Sequence, residues 1–459
     1  MNLNPRPPPD RACRTLRGQV VVLFALVIGL SVEPLVANEV GAPLPPWTPG
    51  SLDIHQIASG RGNAALIICP DGTNIMIDAG SNSEKLDVST PARPDDSRRP
   101  GEWAGRYAFR HLQPTGRAAL DYFVVTHFHP DHLGDINART PPSRDGSYLL
   151  TGISDVAEIL PIGTVIDREF PDYTHPTRWN AGFAANYFAY IAARKNAGAA
   201  TAKIVVGSAS QFPLRRAPRD FPAFSLRTIA ANGEVWTGSG PATRSVAPPL
   251  STLAPSDYPD ENMCSLAMRL SYGKFDYYTG RDLACSTREG TQPWRDVETP
   301  VAVATGPVEV AVANHHAYFD AVGIVAARAL QLLVWVVPAS HITHLNIAQL
   351  EVMLSERIYP GPRSIFVTDL MPATALGLRR FINKLNTATG HIIVRVAPGG
   401  TEFRVFVTNS GDELDTVIAA SESHLARCRS RAKANAGRFD AQEFDLKDVP
   451  RIRTANARG

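Results

Sequence analysis

Short apolar runs set between Gly- and Pro-rich turns dominate the hydrophobic pattern of the chain. Leu52 and Ile54 alternate with polar residues, residues 64–69 are apolar, and residues 74–78 read NIMID. Pro70-Asp71-Gly72, between the last two runs, is a hairpin-type turn signal. Further strand-like runs lie at 122–125, 165–168, 203–206 and 224–229. Leu266, Met268, Leu270 and Tyr272 alternate along 265–272, the period of a half-buried strand, and Gly273-Lys274 turns the chain back into 275–279. Residues 308–313 form another apolar run, and 332–337 (LLVWVV) has the continuous character of a strand buried on both faces. Shorter runs follow at 364–368, 391–396 and 403–407. Helical spacing marks 102–112, 346–358, 417–426 and 180–195, where Phe183, Tyr187, Phe188 and Ile191 make a core stripe.

The strand runs fall into two clusters, each with its own helices. That distribution predicts an α+β fold with two sheets packed face to face and helices outside, a four-layer αββα sandwich. Residues 51–410 are expected to form one domain, preceded by a linker at 38–50 and followed by a polar, partly flexible tail at 411–459. Residues 230–259, rich in Gly, Pro and Ser, are expected to be a long mobile loop over the functional site.

Arg6, Arg11, Arg14 and Arg17 precede a 13-residue apolar stretch at 20–32. A comfortable transmembrane helix needs ~20 residues, so this pattern reads as a secretory signal peptide covering 1–37. The expected location is periplasmic or secreted, with an uncleaved membrane anchor as the other reading; membrane contact is expected only through this segment. The net charge of +2 over 459 residues gives no independent support for a nucleic-acid groove. Cys13 leaves with the signal, while Cys69, Cys264, Cys285 and Cys428 either pair in an oxidising compartment, with Cys264–Cys285 the favoured pair, or stay as buried thiols.

The chemistry concentrates at 126–135, THFHPDHLGD, directly after the run 122–125. A strand that ends in His127, His129, Asp131 and His132 delivers three imidazoles and a carboxylate to one edge. Such N and O donors suit zinc, with manganese and iron also possible. His127 and His129 can converge on one cation, and Asp131 and His132 on a second. Asp282 follows the returning strand in Thr279-Gly280-Arg281-Asp282, and His315-His316 follow the run 308–313. Adjacent side chains diverge, so one of that pair is expected to bind, with His316 preferred. His341 and His344 follow 332–337; His344 is the preferred further ligand or substrate-side acid. His175, in a Pro-flanked loop, is a further possible ligand.

The HxHxDH stretch resembles the signature of the metallo-β-lactamase superfamily. Asp78-Ala79-Gly80, the Gly-x-Asp at Asp282 and the His pair resemble the hydrolase domain of ComEC-type competence proteins, although Arg281 and Ala317 stand where those proteins commonly carry Gly. The resemblance implies a metallo-β-lactamase fold with ligands His127, His129, Asp131, His132, Asp282 and His316. It implies that Asp282 bridges two divalent cations and that Asp78 supports the metal loop from behind. It also implies a metal-activated hydroxide, oriented by Asp131, acting on a phosphodiester or related ester of a small molecule or nucleic acid. A β-lactam or carboxylic or thioester hydrolase is the alternative, and an exported, non-catalytic metal- or partner-binding protein is another.

Overall fold

A computed structural model describes residues 39–82 and 87–427. The expected signal segment 1–37 and most of the expected tail, with Cys13 and Cys428, lie outside the described residues. Six strands open the fold: β1 (Leu52–Ile57), β2 (Ala64–Ile68), β3 (Asn74–Ala79), β4 (Leu120–Val125), β5 (Ile162–Asp167) and β6 (Ala200–Lys203). The next eight build a second sheet: β7 (Phe224–Ala231), β8 (Glu234–Trp236), β9 (Thr243–Ser245), β10 (Ala267–Tyr272), β11 (Phe275–Thr279), β12 (Val310–Val312), β13 (Val334–Val337) and β14 (Ser364–Val367). The chain then returns to the first sheet as β15 (His391–Val396), β16 (Glu402–Thr408), β17 (Val417–Ala420) and β18 (His424–Leu425). The first sheet runs β17-β16-β15-β1-β2-β3-β4-β5-β6 with β18 on β16, and the second runs β14-β13-β12-β11-β10-β7-β8-β9. The helices are α1 (Pro100–Leu112), α2 (Pro130–Leu133), α3 (Ile153–Ile159), α4 (Gly182–Asn196), α5 (Glu298–Thr305), α6 (Ile324–Leu330), α7 (Ile347–Leu354) and α8 (Pro372–Gly377).

Strand alternation creates the layers. Ile75 and Ile77 of β3 meet Val310, Val312, Val334 and Val336 between the sheets. Met76, between those two isoleucines, packs the other way with Tyr107 of α1, Val156 of α3 and Tyr187 of α4. Across the molecule Ala311, Trp335 and Val337 pack outward with Val301, Ala327 and Leu350 of α5, α6 and α7. The result is the expected αββα sandwich. Strands buried on both faces explain why β4, β12 and β13 read as continuous apolar runs. Each fully buried Val or Ile contributes about 1.5–3 kcal/mol of burial.

Several expectations change. The expected mobile loop at 230–259 contains β8 and β9, because Val235 and Trp236 are buried against the second sheet's outer core. The helix expected over 417–426 is strand instead: Val417 is buried and Ile418 exposed, the alternation of a sheet edge. The expected tail from 411 therefore begins within the sheet. In the expected linker, Trp47 is buried in the core beneath α1 and Pro43 bridges Thr416. The strand expected over 203–206 lies earlier, as β6, because pairing of Thr164–Asp167 with Ala200–Lys203 sets its register. Cys264 and Cys285 do not pair; Cys69, Cys264 and Cys285 are all free thiols. No helix of the described residues is long and apolar enough to cross a membrane.

Candidate metal centre

Six strands end at one edge of the sandwich and carry the site. β3, β4 and β5 run parallel in one sheet, and β11, β12 and β13 run parallel in the other. Their carboxyl ends therefore deliver loops to the same side, as in other sheets that bind ligands there. After β4 the chain reaches an extended His129 (φ −88, ψ 154), and Pro130 then starts the single turn of α2 that holds Asp131 and His132. Gly80, after β3, lies so close to this turn that a Cβ would sit 1.5 Å from the Asp131 carbonyl oxygen. Gly280 has the same role in the Asp282 turn: its Cβ would meet the Tyr278 hydroxyl at 2.0 Å.

Two groups of donor atoms converge. Asp131, His132, Asp282 and His316 form one, and His127, His129 and Asp282 the other; within each group the atoms lie within 4.8 Å of one another. Asp282 belongs to both. Its Oδ2 lies 3.2 Å from His132 Nε2, 3.6 Å from His127 Nε2 and 3.7 Å from His316 Nε2. His316 Nε2 also lies 3.1 Å from Asp131 Oδ2. His127 Nε2, His132 Nε2 and Asp282 Oδ1 are buried and form no hydrogen bond. Unsatisfied, convergent polar atoms are costly in a buried site, and divalent cations would satisfy them. The donor set is therefore fit to hold such cations.

Hydrogen bonds behind the ligands aim them. His132 Nδ1 lies 2.8 Å from Asp78 Oδ2, and His316 Nδ1 lies 2.5 Å from the Pro338 carbonyl. Each ring thus spends its Nδ1–H on a fixed acceptor and presents Nε2 to the centre. Asp78 also accepts from the Thr126 backbone and hydroxyl at 2.9 and 2.8 Å, the supporting role the resemblance implies. His315, His316 and Ala317 are all left-handed, with φ of 45, 54 and 57°. Such conformations cost on the order of 1 kcal/mol or more each outside glycine, and they cluster at functional sites. The turn resolves the His pair: His316 enters the ligand group, whereas His315 bonds Asn262 at 3.2 Å and Asp320 at 2.7 Å.

The charges interlock. Burial pushes His316 down, but Asp282 and Asp131 more than offset it and raise the ring to about 9. Burial likewise opposes the charged form of His132, and Asp282, Asp131 and Asp78 carry it well above the ordinary value. Asp282 and Asp131 are disfavoured as anions by burial, yet His132 and His316 hold both well below the usual carboxylate range. His127 is held low by burial and by His132.

His344 does not join either group. Its ring stacks on His316 at 4.0 Å and 2°, and its Nδ1 accepts from the Ser340 backbone at 3.1 Å. The neutral ring therefore carries its proton on Nε2. His341 bonds Thr343 at 2.8 Å. His175 is outside both groups; its carbonyl accepts from Arg168 at 3.1 Å. Arg281 points behind the centre, where it bonds Asn63 at 2.9 Å.

Sequence reasoning missed a buried support. Glu261 Oε1 accepts from the backbone of Phe128, between the two first histidines, at 2.7 Å. Arg168 clamps the same carboxylate at 2.8 and 2.6 Å. Glu261 itself carries no local signal; its partner Arg168 follows β5 directly.

No protein-family profile matches the chain, and no curated protein matches it. Among solved structures it is similar to the metallo-β-lactamase fold protein YhfI from Bacillus subtilis, with 11% identity and a TM-score of 0.32 over 69% of this chain and 95% of that one. It is also similar to a candidate metal-dependent hydrolase from Parabacteroides distasonis, with 11% identity and a TM-score of 0.32 over 67% and 90%. Likeness at that level carries no inference about chemistry, which rests on the geometry of this chain.

Proposed function

We propose that the protein is a metal-dependent hydrolase that holds two divalent cations and cleaves a phosphodiester or related ester. The observation that carries this reading is Asp282, whose buried carboxylate is common to two groups of convergent donors. The all-N/O donor set suits zinc, with manganese and iron also accommodated. Cations held here would acidify a coordinated water and polarise the scissile oxygen.

The residues divide the work. His127, His129 and Asp282 would supply three donors to one cation, and Asp131, His132, Asp282 and His316 four to the other. Asp131 is only partly buried and is the ligand suited to align the attacking water. Burial and the neighbouring His316 hold His344 well below its ordinary value. With Nδ1 accepting from Ser340, the neutral His344 ring would offer its Nε2–H to a substrate oxygen.

The phosphodiester preference follows the ComEC-type motif set, in which Asp282 stands where class B β-lactamases carry Cys. A panel of bis-p-nitrophenyl phosphate, a chromogenic lactam, and carboxylic and thioester substrates tests it. Turnover of the phosphodiester is expected. Lactam or carboxylic ester turnover without phosphodiester turnover would reverse the order, and inactivity throughout, with no cation bound, would favour a non-catalytic binding protein.

A further inference from the structure

Arg281 is 1% exposed, and its backbone is left-handed at φ 49°. A side chain there is strained where glycine is not, and a buried guanidinium is expensive unless its environment uses it. Its Nη1 donates to Asn63 Oδ1 at 2.9 Å, while Nε and Nη2 make no hydrogen bond. Nε lies 3.7 Å from Asp78 Oδ2.

Those two neighbours lead to the same half of the centre. The backbone N–H of Asn63 donates to the Asp131 carbonyl at 2.8 Å, and the Asn63 carbonyl accepts from Gly80 at 2.9 Å. Asp78 fixes His132 through its Nδ1. Arg281 itself precedes Asp282 and leaves β11 of the second sheet, whereas Asp78 lies at the end of β3 of the first sheet, Asn63 lies in the loop before β2, and Asp131 and His132 lie in α2 after β4.

We propose that Arg281 is a positioning residue for the second cation: it struts the Asp282 turn of one sheet against the Asn63 and Asp78 supports of Asp131 and His132 on the other. The inference rests on the two-cation reading above. Without the strut, His127 and His129 keep their own positions, whereas Asp131 and His132 lose the brace that links their supports to the Asp282 turn.

The test is titration of the metal-free chain with Co2+, following the visible absorption band and the number of equivalents bound. Arg281→Met is expected to bind the first equivalent as the wild type does and the second at least about ten-fold more weakly, with an altered band for the second ion. Arg281→Lys, which restores a cation and a donor, is expected to recover part of the loss. Should Arg281→Met fail to fold, Asn63→Ala cuts the same strut and carries the same expectation. In a double-mutant cycle, the pair is expected to lose less than the sum of the single changes. Wild-type affinity for both equivalents in Arg281→Met, or in Asn63→Ala where the first does not fold, would overturn the assignment. A wild-type chain that binds no Co2+ would overturn the two-cation reading itself.

Discussion

His132 and Asp78 form a hydrogen-bonded pair at 2.8 Å in which both side chains are fully buried. The pair fixes which ring nitrogen faces the centre, so its worth should show in cation binding more than in folding. Asp78→Asn is expected to weaken cation binding or activity by roughly 10–100-fold. Competition with a chromogenic chelator measures it; unchanged affinity would remove Asp78 from the site.

His344 stacks on a ligand without joining the ligand groups. His344→Gln is expected to lower kcat by roughly 10²-fold while the cation count is unchanged. Loss of one cation equivalent would instead make His344 a ligand.

Gly80 tolerates no side chain, since its Cβ would strike the backbone of Asp131 at 1.5 Å. Gly80→Ala is expected to cost on the order of 3 kcal/mol in denaturant unfolding and to reduce cation binding at the Asp131 half of the site. A wild-type denaturation midpoint would mean that this loop yields more readily than its packing implies.

Away from the donor groups, His55 bonds the Tyr107 hydroxyl at 2.9 Å, and the His391 ring lies tilted against the same ring at 4.5 Å. Burial pushes His55 to about 4 and His391 to about 3. Folded values below the unfolded value of about 6.5 mean that the unfolded chain takes up protons first as pH falls. Stability from these rings is complete above pH ~6.5 and is lost on acidification, through about 4 for His55 and about 3 for His391. His55→Gln is expected to flatten the fall in Tm between pH 6.5 and 4; an unchanged slope would show that His55 is not one of the titrating groups.

Much of this was legible in the chain. Strands such as β12 and β13 announce themselves because burial on both faces demands uninterrupted Val, Ile and Trp. The candidate metal loop is legible because its donor residues are contiguous and follow a strand. β8 and β9 were hidden because three residues each, set among Gly, Pro and Ser, carry too little periodicity. α5 and α6 were missed because the Ala/Val-rich stretches 298–305 and 324–330 lack a clear polar face. The choice between His315 and His316 depends on a left-handed turn that spacing does not encode. Glu261 was invisible because its partners Phe128 and Arg168 lie 133 and 93 residues away, and only the folded sheets bring them together.

Asp282 decides the account. Metal analysis of the purified wild type is expected to give close to two divalent cations per chain, with turnover of bis-p-nitrophenyl phosphate. Asp282→Ala is expected to lose at least one cation and to fall to background turnover, because one carboxylate serves both groups. Full cation content and full activity in Asp282→Ala would contradict the two-cation centre proposed for this chain.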